Sequence, residues 1–402
     1  MPDMLAGKIL AAARGEENYI SGFLRDLIRI RSLSCKEGEA AEYIGREMEK
    51  LPLDDLFTDS IGNVVARYGT GKRVVLYDSH MDTVDIGDPA AWKVDPFEAK
   101  LENGVIYGRG ASDNKGGLAA MMGGLKVLSA LGGQGDFSLY MVCIVQEEVC
   151  EGLALSVFLE EHGLAPDCVV LSECTNLGIC RGHRGRAEIE IVTRGISCHG
   201  SAPERGDNAL YKMAPVLDSI KYMNGHLKED PFLGKGSIAA TKLECETPSV
   251  NAIPDMCRAF IDRRTVPGET AESVARELDE VVRAVRGEVR LSTFSRPSYR
   301  GYVKEREKFF PAWSLEEKAH ELGSAKLSCR LLFGEEPRTG RWLFSTDGNY
   351  SMGTRSIPTF GFGPGEEHHA HTAQDQVRVE DLSKAAAFYA LFPFVYAGDV
   401  TE

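Results

Sequence analysis

Two histidines and five carboxylates lie along this chain where metal ligands and acid–base groups would stand. His80-x-Asp82 ends the apolar run from Val74 to Thr83. Residues two apart in an extended segment share a face, so the imidazole can ligate through one nitrogen while the carboxylate orients the other. Asp113 follows the glycine-punctuated turn from Val105 to Gly117 and sits near the start of a helix reaching about Leu131. Free N–H groups at a helix start hold a carboxylate ionised, as a cation ligand must be. Glu147-Glu148 closes the apolar run from Ser138 to Gln146, and Glu173 closes the run from Asp167 to Ser172. Each feature alone has a bland reading, since a His-x-Asp recurs by chance and paired acids commonly cap a helix.

The elements that must position these groups are those of an open α/β sheet. Three apolar runs, long enough for strands covered on both faces, each end in His or acid. Ligands gather outside the carboxyl ends of such strands. Ahead of them, Met1 to Ile30 and Glu37 to Leu51 carry helical patterns, and strands are expected over 63–67 and 73–79. From Arg186 the pattern changes, with Glu188-Ile189-Glu190-Ile191-Val192 alternating as in a half-exposed antiparallel strand. Strands near 237–244 and 256–264 and helices near 209–223 and 269–285 complete an α+β insertion placed at 186–297. The flanking segments 1–185 and 298–402 form one larger domain, whose last part is expected to hold helices near 312–322 and 380–396. The fold class is therefore α/β, a doubly wound mixed sheet interrupted by a smaller α+β domain. Between the last two helices the glycine-rich loop from Phe360 to Thr372 carries His368, His369 and His371.

Bulk properties narrow the functional classes. At 402 residues the chain exceeds one ordinary core, and 43% hydrophobic with 26% charged residues is a globular composition. A net charge of −14 excludes nucleic acid and anionic membranes as main partners and suits a site that attracts cations. No apolar run approaches the ~20 residues that span a bilayer, and the charged N-terminal pattern is not that of a signal peptide. Ten cysteines without a C-x-x-C pair read as reduced thiols in a cytoplasmic protein. A serine hydrolase elbow, G-x-S-x-G, and a phosphate-binding G-x-x-x-x-G-K-[ST] are both absent.

The ligand candidates arrive inside longer motifs: Ser-His-Met-Asp-Thr at 79–83, Gly-Arg-Gly-Ala-Ser-Asp-Asn-Lys-Gly-Gly at 108–117, Glu147-Glu148 with Gly152 beyond, and His-Gly-Ser-Ala-Pro at 199–203. In this order they resemble the M20 metallopeptidases, which include acetylornithine deacetylase, succinyl-diaminopimelate desuccinylase, aminoacylase-1 and carboxypeptidase G2. The resemblance covers almost the full length. Gly182 to Arg186 and Ser201 to Leu210 look most like a branch of hydrolases associated with selenium and purine metabolism.

The resemblance implies two divalent metal ions per chain, Zn²⁺ first and Co²⁺ or Mn²⁺ as alternatives. By position, His80, Asp113 and Glu173 would bind one ion, and Asp113, Glu148 and His371 the other. It implies attack by a metal-bridging hydroxide, with Glu147 as general base and Asp82 orienting His80. His199 matches the family's oxyanion-stabilising histidine in the insertion. Asn251 and Arg264 match positions that contact a substrate carboxylate, with Arg264 preferred to Arg263. His371 is preferred to His368 and His369 because Thr372 and Asp375 follow it. The implied activity is hydrolysis of a linear amide in an N-acyl amino acid, short peptide or ureido compound bearing a free carboxylate. The implied assembly is a homodimer joined through the insertion, which would act as lid and dimerisation domain. The alternatives are a non-catalytic binding module of the same fold and an amidohydrolase acting on purine-degradation intermediates.

Overall fold

The computed structural model describes residues 2–132 and 135–401. Its larger sheet is mixed, and the strand Arg73–His80 lies at its centre. That strand runs parallel to Phe137–Ile144 on one side and to Cys168–Leu171 on the other, and Cys168–Leu171 pairs in parallel with Thr359–Gly361. Val64–Tyr68 and Asp55–Thr58 extend one edge with antiparallel pairing. All but one residue of Phe137–Ile144 is buried, as its unbroken apolar run requires.

Helices Pro2–Gly15, Glu17–Arg29, Lys115–Ala130, His320–Phe333 and Val379–Ala397 pack together beside this sheet. Lys115–Ala130 and Val379–Ala397 are buried nearly all round, so they approach closely. A Cβ on Gly124 would lie 2.7 Å from Tyr389 Cβ and one on Gly123 2.6 Å from Ile20, so only glycine fits at that contact.

A second sheet takes the order Ser237–Glu246, Met256–Thr265, Gly185–Arg194, Glu288–Leu291, all antiparallel. Met256–Thr265 alternates strictly between buried and half-buried positions. Its inward residues join helices Ala209–Met223 and Ala271–Val282 in a separate core that includes Ile189, Met213, Ile261 and Leu278.

Several expectations need correction. The N-terminal helical pattern is two helices meeting at Gly15 and Glu16, not one, and Met1 lies outside the described residues. The helix expected near 312–322 is replaced by the short strand Trp313–Ser314, and the helix begins only at His320. The Trp313 indole donates to His183 Nε2 at 2.7 Å, which ties this segment to the sheet. The strand Ile179–His183 was not anticipated, because its Arg and Gly disrupt any apolar pattern. Phe309–Phe310 pairs with Gly185–Arg194, so the second sheet takes in residues beyond 297.

Candidate metal centre

The site is built where the central strands end. His80 is the last residue of Arg73–His80. Beyond the neighbouring strand Phe137–Ile144, Gln146 adopts a left-handed conformation (φ 59) that turns the chain sharply, and Glu147 and Glu148 follow in the single turn Glu147–Val149. Glu173 follows the strand on the other side, Cys168–Leu171. Asp113 stands two residues ahead of the helix Lys115–Ala130, and His371, also left-handed (φ 58), comes from the loop after Thr359–Gly361.

Asp113 stands between the two histidines. Its Oδ1 lies 3.0 Å from His80 Nε2 and its Oδ2 lies 3.2 Å from His371 Nε2. His80 Nε2 also faces Glu173 Oε1 at 3.4 Å and Glu147 Oε2 at 3.9 Å. His371 Nε2 faces Glu148 Oε2 at 2.9 Å. Ligand atoms of His80, Asp113 and Glu148 converge within reach of one cation, and so do those of His80, Glu147 and Glu173. His80, Asp113, Glu147 and Glu173 are buried, whereas half of the His371 side chain is exposed.

The electrostatics are those of a cation site. Hydrogen bonds to Asp113 and Glu148 raise the His371 pKa to about 10. Burial lowers the His80 pKa, but Glu173, Asp113 and Asp82 outweigh it and hold the ring well above its usual value. Burial pushes Glu173 up to about 7 despite the opposing pull of His80. Burial also lifts Glu147 well above the usual carboxylate range. Glu173 Oε2 is buried with no hydrogen-bond partner, a costly arrangement that a bound cation would relieve. Imidazole and carboxylate donors without a thiolate suit Zn²⁺, Co²⁺ or Mn²⁺. The residues therefore offer candidate sites for a divalent cation, with Asp113 between the two histidines.

Asp82 is buried beside this group, yet it meets His80 differently from expectation. His80 Nδ1 lies 3.0 Å from the Asp82 carbonyl oxygen and 3.6 Å from Oδ1. The Asp82 carboxylate instead accepts Ser34 Oγ at 2.6 Å and the amides of Glu147 and Glu148 at 3.2 Å each.

A cavity of about 310 Å³ opens onto the centre, lined by Asp113, Glu147, Glu148, Glu173 and His371 together with Arg264. Arg264 holds Asp262 in a forked pair, Nε to Oδ1 at 2.8 Å and Nη2 to Oδ2 at 3.1 Å. Arg263 points the other way and is buried against Glu269 at 2.6 Å. His199 and Asn251 are exposed on the second sheet's loops and do not line this cavity within one chain. They neighbour each other, with Gly200 donating to the Asn251 carbonyl at 2.6 Å. His368 and His369 group with Glu366 elsewhere on the loop, and His369 Nε2 is engaged by Gln376.

Sequence reasoning missed several wall residues. Arg186, paired with Glu151 at 3.0 Å, lines the cavity, as do Phe344, Ser345 and Glu367. Nothing near 344–345 signals chemistry, since its position depends on the final strands of the sheet. Asp375 served only to identify His371. It is buried and accepts the amides of Gly110 and Ser112 at 2.7 and 2.8 Å and Arg109 at 3.1 Å, tying the Asp113 turn to the His371 loop.

The chain is similar to known proteins in sequence and in fold. The model of peptidase family M20/M25/M40 matches residues 76–393. YgeY of Escherichia coli is 39% identical over 387 residues, covering 96% of both chains. N-formyl-4-amino-5-aminomethyl-2-methylpyrimidine deformylase of Halalkalibacterium halodurans is 27% identical, covering 89% of this chain and 88% of that protein. Bacillus subtilis YXEP, described as a dinuclear metal-binding peptidase of the M20 family, superposes with a TM-score of 0.67 at 16% identity. That match covers 96% of this chain and 99% of the other.

Proposed function

This chain belongs to peptidase family M20/M25/M40 and is a metal-dependent hydrolase of amide bonds, and from that premise we propose that it cleaves a linear amide of an N-acyl amino acid, short peptide or ureido compound. One observation carries this reading. The buried Glu147 carboxyl lines the same cavity as Asp113, Glu148, Glu173, His371 and Arg264, placing base, cation ligands and a guanidinium around one space.

His80, Asp113 and Glu173 would hold one ion, and Asp113, Glu148 and His371 the second, Zn²⁺ being the first choice. The chemistry supplied by a bound pair would be Lewis-acid polarisation of the amide carbonyl and a lowered pKa for the attacking water. Glu147 takes the proton of that water and returns it to the leaving amine. Asp82 holds the amides of Glu147 and Glu148, and its carbonyl directs His80 Nε2 to the centre.

Arg264 would receive the substrate's carboxylate. His199 is set up as a donor, because the Ser201 amide donates to His199 Nδ1 at 3.1 Å and so leaves the proton on Nε2. Being exposed and away from the cavity of its own chain, His199 and Asn251 would serve the site of a second copy, making the enzyme a homodimer. We place its work in the cytoplasm; no helix among the described residues is long and apolar enough to cross a membrane.

The test combines elemental analysis with turnover of N-acyl amino acids, dipeptides and ureido acids, after chelation and restoration of Zn²⁺, Co²⁺ or Mn²⁺. About two ions per chain with metal-dependent cleavage of one class is the expected result. Bound metal without turnover on any class would refute the substrate assignment, and absence of both would refute the centre.

A further inference from the structure

Three consecutive amides lead into the centre, those of Gln146, Glu147 and Glu148, and each donates to a carboxylate from a distant part of the chain. Asp82 takes the second and third. The first goes to Glu37, whose Oε1 accepts the Gln146 amide at 3.0 Å. The same Oε1 accepts the Cys35 amide at 2.8 Å. We infer that Glu37 is a positioning residue for the hydrolytic reaction, clamping the left-handed turn at Gln146 so that Glu147 and Glu148 diverge to their separate tasks.

Glu37 is fully buried, and its other oxygen, Oε2, has no hydrogen-bond partner. A carboxylate in that position costs desolvation that a neutral or apolar side chain would avoid, so its presence calls for a local return. Gln146 supplies one. A non-glycine residue at φ 59 persists only where its surroundings over-determine it. Here the surroundings are Glu37 on the amide and Cys35 on the side chain, with Gln146 Nε2 3.0 Å from Cys35 Sγ.

The segment carrying these groups is itself fastened to the end of the central strand. Ser32 Oγ donates to the Met81 carbonyl at 2.7 Å, Thr83 N donates to the Ser32 carbonyl at 2.9 Å, and Ser34 Oγ donates to Asp82 at 2.6 Å. The 32–37 segment thus couples the His80 strand end to the Glu147 turn through side chains that touch neither substrate nor ion. Sequence reading offers no hint of this, because Glu37 begins a helical pattern and resembles any solvated cap.

This inference rests on the assignment of Glu147 as base, so its test carries one readout that does not. Glu37→Ala and Glu37→Gln are compared with the parent enzyme by hydrogen exchange of the peptide spanning Gln146 to Glu148, by metal content, and by kcat and KM. In Glu37→Ala, exchange in that peptide should accelerate at least tenfold and kcat fall by ~10–100-fold, with KM and metal content held, the usual scale for outer-sphere support. Glu37→Gln keeps an acceptor oxygen and should recover most of both. An unchanged kcat in folded Glu37→Ala, or equal losses in the two variants, would overturn the inference. If Glu37→Ala does not fold, Glu37→Asp decides, since its retracted carboxylate should lower kcat at constant KM; unchanged kcat, or failure of this variant to fold as well, assigns Glu37 to stability alone. A parent enzyme with no turnover would instead indict the hydrolase reading, while the exchange data would still report whether Glu37 holds the turn.

Discussion

Asp82 offers His80 its backbone carbonyl at 3.0 Å while its carboxylate Oδ1 stands off at 3.6 Å. The ring is therefore oriented by the main chain, which no substitution at 82 removes. Asp82→Asn should keep both ions yet lose one of the two amide contacts to Glu147 and Glu148, lowering kcat by ~10–100-fold. Elemental analysis beside steady-state kinetics checks this, and loss of an ion would mean that the carboxylate supports His80 after all.

Glu147 has two geometric options, since it also lies within reach of a cation held by His80 and Glu173. As a base, its replacement in Glu147→Ala should leave about two ions per chain and reduce kcat by at least ~10²–10⁴-fold. Loss of one ion on dialysis would make it a ligand.

Arg264 lines the cavity with its side chain partly exposed, and Arg263 is buried elsewhere. Arg264→Ala should depress kcat/KM for substrates with a free carboxylate by ~10-fold or more while sparing the corresponding carboxamides, on the scale of a lost charge-assisted pair. Equal losses on both series would remove Arg264 from substrate recognition.

His183 makes a pH-dependent contribution to stability. The Trp313 indole and the Thr346 amide donate to its Nε2 at 2.7 and 3.0 Å, so the buried ring is neutral, with Nδ1 donating to the Arg184 carbonyl at 2.8 Å. Burial lowers its pKa to about 4. Between about pH 6.5 and 4 the unfolded chain binds a proton that the folded chain refuses, so this group's contribution falls on acidification, by about 3 kcal/mol in all. Urea unfolding at pH 7 and pH 4.5 should show a larger acid loss for the parent than for His183→Gln; identical losses would contradict the assignment.

Much of the candidate centre was legible because the residues it gathers lie beside features readable in one dimension. His80, Glu147, Glu148 and Glu173 stand at or after the ends of apolar runs, and Asp113 precedes a helix, so these side chains and the strand ends coincide in sequence as in space. His371 was separable from His368 and His369 through Asp375, whose buried carboxylate grips the Asp113 turn. The helix expected at 312–322 failed for the opposite reason. Its first residues pair with Ile179–His183, a partner more than a hundred positions away, and local pattern cannot report such a contact.

What the sequence by itself determined is the kind of chemistry, since the ends of its apolar runs and the start of the helix after Gly110 present imidazole and carboxylate donors. Tertiary structure alone decided how the chain supports them. It assigned the orientation of His80 to a carbonyl, placed Arg186, Phe344 and Glu367 on the cavity wall, and left His199 and Asn251 outside it. It also brought Glu37 under Gln146, 109 positions along the chain. Hydrogen bonds to backbone amides carry no residue signature at the donor end, so a carboxylate serving them is invisible until the chain has folded around it.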